Sequence, residues 1–124
     1  MNNRCSCDYE PAKVYKPERI RARTAHTCDE CGCTISPGET YEHVDALWAE
    51  NNKWKMQRTC QSCLLVRDEV EAKLPCFCWA HHSMLDDVTD ALDNLDLKPG
   101  VRFSILRLMV QHRAYRQIPP VIRR

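Results

Sequence analysis

Two cysteine pairs of identical spacing, Cys28-x2-Cys31 and Cys60-x2-Cys63, stand 28 residues apart in this chain. Four thiols in two chelating pairs match a closed tetrahedral zinc site, with sulfur about 2.3 Å from the ion. The two-residue gap lets the chain curl so that both sulfurs of a pair face one ion. Nearby backbone N–H groups then donate to the sulfurs and spread their negative charge. To close such a site, the 28 intervening residues must run out and back as a compact turn. A redox Cys-x-x-Cys would need no matched second pair. Four thiolates leave no position for a reactive water, so the expected zinc is structural.

The rest of the composition explains why such a staple is needed. Leu, Ile, Val and Phe make up about a fifth of the 124 residues, at the edge of what supports a packed core. A small domain short of apolar surface recruits disulfides or a metal. No apolar signal segment opens the sequence and no 18-residue apolar run follows, so the expectation is a cytoplasmic protein without a membrane span. In that reducing compartment nine cysteines, mostly in close pairs, argue for thiolate ligands over bridges. Cys5-x-Cys7 and Cys76-x-Cys78 form a second matched set that can close another four-sulfur site, with His81 or His82 able to replace one sulfur. Cys33 and His26 read as a small buried hydrophobe and a turn residue.

Charge divides the chain into segments. Residues 1–27 carry +3, 28–75 carry −4, 76–97 carry −5 and 98–124 carry +7, so the net charge of +1 conceals a basic and an acidic surface. Up to Pro17 the chain reads as irregular, with a short alternating strand at Ile20–Thr24. Gly32 follows the second cysteine in a tight turn, and Pro37-Gly38 makes another. Tyr41 to Trp48 and Trp54 to Thr59 flank a polar break and predict a hairpin. Cys63, Val66, Val70 and Leu74 trace the stripe of a helix that starts near Cys60 and is stopped by Pro75. A helix over 83–97 follows, with a capping-box-like start at Ser83 and Asp86. A last helix runs over about 101–117, and its apolar side is expected to pack on the acidic helix as an antiparallel hairpin. The expected organisation is an N-terminal arm (1–27) tied back by the second cysteine cluster, a zinc-binding unit (28–75) and a helical extension (76–124).

The order of knuckle, turn, hairpin and helix over residues 26–74 resembles a treble-clef zinc finger. The fold class expected is therefore a small α+β zinc-binding domain, with two further C-terminal helices. The wider pattern over about residues 4–90 includes His26-Thr-Cys28-Asp-Glu-Cys31-Gly32, Thr59-Cys60-Gln-Ser-Cys63 and Cys76-Phe-Cys78-Trp79-Ala-His81. It is similar to small, mostly uncharacterised zinc-finger-like proteins encoded by bacteriophages and prophages. That resemblance implies a bacterial cytoplasm and an accessory role, and carries no activity with it.

Three functions compete. An HNH-type nuclease needs a hairpin His, an orienting Asn and a helix His. His43 and Asn51 or Asn52 supply two, but no His falls between Lys53 and Lys73. Nucleic-acid binding would use Arg19, Arg21, Arg23, Lys53, Lys55 and Arg58 around Trp48 and Trp54, with Arg107, Arg113 and Arg116 on the last helix. The acidic residues between 86 and 96 repel phosphate and favour the third function, a non-catalytic protein that binds a bacterial or phage protein complex, such as defence or transcription machinery it would inhibit. Pairing of two copies through the C-terminal helix is the remaining use of its apolar side.

Overall fold

The polar break flanked by β-type runs closes as expected. In the computed structural model, which describes residues 12–48, 52–74 and 76–116, β4 (Thr40–Trp48) pairs antiparallel with β5 (Lys53–Cys60), from Tyr41 opposite Cys60 to Trp48 opposite Lys53. A third strand, β1 (Ala12–Arg21), lies on the other edge of β4, giving the order β1-β4-β5. Two short strands, β2 (His26–Thr27) and β3 (Thr34–Ile35), pair beside this sheet and carry the first cysteine knuckle between them. Three helices follow: α1 (Gln61–Lys73), α2 (Met84–Asn94) and α3 (Pro99–Arg116). The architecture is a small α+β unit.

β1 departs from the expected short strand at Ile20–Thr24. It starts eight residues earlier and ends at Arg21, running through the stretch that reads as irregular. Pro17 masks it: it pairs opposite Val44, and an edge strand tolerates the loss of the N–H that proline lacks. The strand stops because the chain turns inward at Ala22, whose N–H donates to the Glu39 carbonyl and whose carbonyl accepts from Gly38 N–H, both at 2.8 Å. Gly38 has φ of 92°, a left-handed conformation that a side chain would strain.

Alternation along β4 puts Glu42, Val44 and Ala46 on one face, and all three are buried. Helix α1 covers the inner end of that face. Its stripe of Cys63, Val66 and Val70, with Leu74 just past its end, enters the core as the spacing predicts. The same helix buries a charge. Arg67 makes a two-pronged bond to Glu42, at 2.8 and 2.7 Å, with both side chains only 6% exposed. Across the guanidinium, 4.8 Å away, lies the Trp79 ring, whose indole N–H donates to Glu71 at 3.0 Å. The segment after α1 is thus pinned to it by a polar network.

The start of α2 uses Asp87 where the sequence suggests Asp86. Asp87 accepts from the Ala80 N–H at 2.9 Å and from the Ser83 hydroxyl at 3.2 Å, so the loop is braced by the helix. Met84, Val88 and Leu92 are the buried side of α2. Pro99 opens α3 at the position where its missing N–H costs nothing. The expected α2–α3 hairpin is not what forms: α3 packs chiefly on α1. Ile105 is buried there, and Arg102 donates to the carbonyls of Leu92 and Leu95 at the end of α2. Those carbonyls lack helical partners and attract a cation more locally than the spread acidic face does.

Two predictions follow from the buried polar groups. Removing one member of the Glu42–Arg67 pair strands a buried charge, so Glu42→Ala should cost about 3–5 kcal/mol in denaturant unfolding, and a Glu42→Leu/Arg67→Met double variant should cost much less. The second concerns His81, whose Nε2 shares a hydrogen bond of 2.8 Å with the Tyr15 hydroxyl. Burial, outweighing the nearby Glu42 carboxylate, holds its imidazole down at about 4. The unfolded chain takes up that proton near pH 6.5. The stability from keeping His81 neutral is therefore present above about pH 6.5 and fades as pH falls toward 4. A His81→Gln variant should lose that part of the pH profile in urea titrations.

Candidate metal centre

Four cysteines from three stretches of chain meet at one point. The Sγ atoms of Cys28, Cys31, Cys60 and Cys63 all lie within 4.8 Å of one another. Local chemistry sets each one. Gly32, with φ of 77°, turns the knuckle so that its N–H reaches the Cys28 carbonyl at 2.9 Å and Cys28 N–H reaches Cys33 at 2.8 Å. Asp29 then clips the knuckle to the hairpin: its N–H donates to the Arg58 carbonyl, and its carboxylate accepts from Arg58 N–H, both at 2.8 Å. Cys60 ends β5 and caps α1, and Cys63 lies in the first turn of α1, where the field of the helix N-terminus favours anionic sulfur.

The spacing of the sulfurs tests the fit of a metal. Cys28 and Cys63 are 3.9 Å apart, and Cys31 and Cys60 3.7 Å. A tetrahedron with bonds of about 2.3 Å has an edge of about 3.8 Å. Two of the sulfur pairs thus hold the separation that one tetrahedral cation imposes, and all four sulfurs lie within 4.8 Å of one another. Cys28, Cys60 and Cys63 are buried and Cys31 partly so. Without a cation the sulfurs share protons. Hydrogen bonding, first from Cys31 and then from Cys60 and Cys63, pulls Cys28 far below the usual thiol range, whereas Cys31 and Cys63 are pushed above it, chiefly as donors to Cys28. A divalent cation would displace the protons that Cys31 and Cys63 retain.

Two further nitrogens approach these sulfurs. Cys60 N–H donates to Cys28 Sγ at 3.3 Å. The imidazole of His112, on α3, lies with Nε2 3.2 Å from Cys63 Sγ. Nothing in the cysteine spacing points to His112. The one signal is its place two turns beyond buried Ile105, on the same side of α3.

The second cysteine set is described only in part. Cys76 and Cys78 hold their sulfurs 3.8 Å apart, too far for a bond to one another, and both are engaged as disulfide sulfurs. Cys5 and Cys7 lie outside the described residues. The His81 imidazole is bonded to Tyr15, and the backbone N–H of His82 donates to the Glu30 carboxylate at 2.7 Å.

The basic residues do not converge. The pairing register puts Arg19, Lys53 and Lys55 on the face of Trp48, and Arg58 on the opposite face with Trp54. Arg19 is engaged by Asp68 through two bonds of 2.9 Å, and Lys16 sits 5.8 Å over the Trp54 ring. Arg21 ends β1, and Arg23 lies beyond it. Arg107 and Arg113 are exposed on α3, and of Arg116 only the backbone is described. His43 lies on the sheet face opposite the Val44, Ala46 and His81 cleft, so the hairpin His and the loop histidines do not share a site. Asn51 lies outside the described residues.

No protein-family description, curated protein or solved structure matches this chain. Purified protein should lose bound metal on acidification, because protons compete with the cation for the four sulfurs, and unfolding should accompany the loss. Cys60→Ser should abolish the cooperative transition seen by circular dichroism.

Proposed function

We propose that the chain is a non-catalytic zinc-binding protein of treble-clef type whose work is to dock on a partner protein. The four-sulfur cluster supports zinc because soft thiolates at tetrahedral spacing suit that ion, and four of them leave no place for a reactive water. Catalysis would need another group of converging side chains. Among the described residues, the four cysteines are the one cluster of His, Cys, Asp or Glu able to hold a metal.

The observation that carries the docking reading is on the helices. Phe103 is 67% exposed, Val110 60%, and Leu106 is also exposed, along the outer side of α3, with exposed Leu65 of α1 in the neighbouring groove. Large apolar side chains gathered in this way mark an interaction surface more often than a free one. Arg107 and Arg113 border them, which favours a partner with acidic residues around an apolar stripe. A bacterial or phage protein complex is the partner class that fits the resemblance drawn from the sequence. No helix among the described residues is long and apolar enough to cross a membrane.

Nucleic acid is the weaker reading, because its cationic residues are split between two sheet faces and α2 is acidic. A Phe103→Glu/Val110→Glu variant separates the two. It should keep the melting temperature and zinc content of the parent yet fail to recover the partner that the parent captures from bacterial lysate. DNA and RNA binding should be absent at low salt; micromolar binding with a steep negative salt slope would overturn the protein-docking reading. Metal analysis should give one zinc per chain with Cys76 and Cys78 in disulfides, and two if Cys5, Cys7, Cys76 and Cys78 close a second site.

A further inference from the structure

His112 lies 49 residues from the nearest cysteine of the cluster, on a different helix, and is only 5% exposed. A buried imidazole costs free energy unless its polar atoms find partners. The contact made by Nε2 is the 3.2 Å approach to Cys63 Sγ, and Cys63 is itself fully buried. A metal-bound sulfur has lone pairs and no hydrogen, so in such a pair the hydrogen belongs to Nε2. Cys28 receives a main-chain N–H from Cys60, whereas the donor to Cys63 is a side chain that arrives only when α3 is docked on α1. Hydrogen bonds to ligand atoms spread their charge and fix their orientation.

We infer that His112 is a positioning residue of the metal centre: its Nε2–H donates to the Cys63 sulfur, so that docking of α3 and tight metal binding are one coupled equilibrium. The coupling presupposes the metal reading proposed above. By linkage, whatever factor the docked helix adds to metal affinity, the metal adds to helix docking. Since α3 also carries Phe103 and Val110, a ligand that lifts this helix would loosen the metal by the same factor. This chain then has a route by which events at its apolar surface reach the buried sulfurs.

The test uses the full chain. His112→Phe keeps an aromatic ring and removes the donor, and His112→Gln restores an N–H. Against a chromophoric chelator, His112→Phe should bind zinc about 10–100-fold more weakly, the range for losing a group hydrogen-bonded to a ligand. Its cobalt-loaded form should show a shifted sulfur-to-cobalt absorption band, and His112→Gln should recover part of both. Equal affinity and an unshifted band in His112→Phe would overturn the assignment, as would a His112→Gln variant no better than His112→Phe, since packing alone would then explain the loss. The parent protein supplies a check that no misfolded variant can spoil. Loaded with cadmium-113, it should show scalar coupling between the metal and the His112 Nε2 proton, and a resolved proton without coupling would overturn the assignment. A parent chain that takes up no metal would instead remove the metal reading itself.

Discussion

Four sulfur atoms held within 4.8 Å in a buried site are an electrostatic problem before they are a structure. As thiolates they repel; as thiols they satisfy one another only in part. The geometry gathers them closely enough that one divalent cation would turn repulsion into coordination. The knuckle, the end of the β4–β5 hairpin and the first turn of α1 each contribute sulfur, and α3 brings the His112 imidazole within 3.2 Å of Cys63 Sγ. With so little apolar side chain per residue, this centre organises the elements that the core alone would hold weakly.

A second polar system lies along the covered face of the sheet. Glu42 and Arg67 form a buried pair, Trp79 covers the guanidinium, and Glu71 takes the indole N–H. On the knuckle, Glu30 accepts from the backbone of His82 and Met84 and so fixes the loop that leads into α2. Such groups add little net stability over an apolar replacement, but they penalise every arrangement that leaves one of them unpaired. They set the angle of the loop and α2 against the sheet, which apolar contacts alone would specify loosely.

Charge segregation was the most visible property of the sequence and the least informative about geometry. Lys53 and Lys55 share one sheet face while Arg58 points to the other, because successive side chains on a strand point to opposite sides. Another basic residue, Arg19, is engaged within the fold by Asp68. What remains open on α3 is apolar as much as basic, with Phe103 and Val110 bordered by Arg107 and Arg113. Helix α3 therefore turns one side toward the cysteine cluster and another toward solvent.

The hairpin, the stripe of α1, the turn at Gly32 and the four sulfurs were legible in the chain itself, since each depends on spacing over a few residues or on the coordination chemistry of a pair. Strand β1 was not, because its Pro17 is tolerable only on a sheet edge, and the sequence does not show where the edge is. The substitution of α1 for α2 as the support of α3, the Glu42–Arg67 pair and the approach of His112 to Cys63 were decided by tertiary packing. Each joins residues at least 25 positions apart, and a contact over that distance exists only after the intervening elements have chosen their faces.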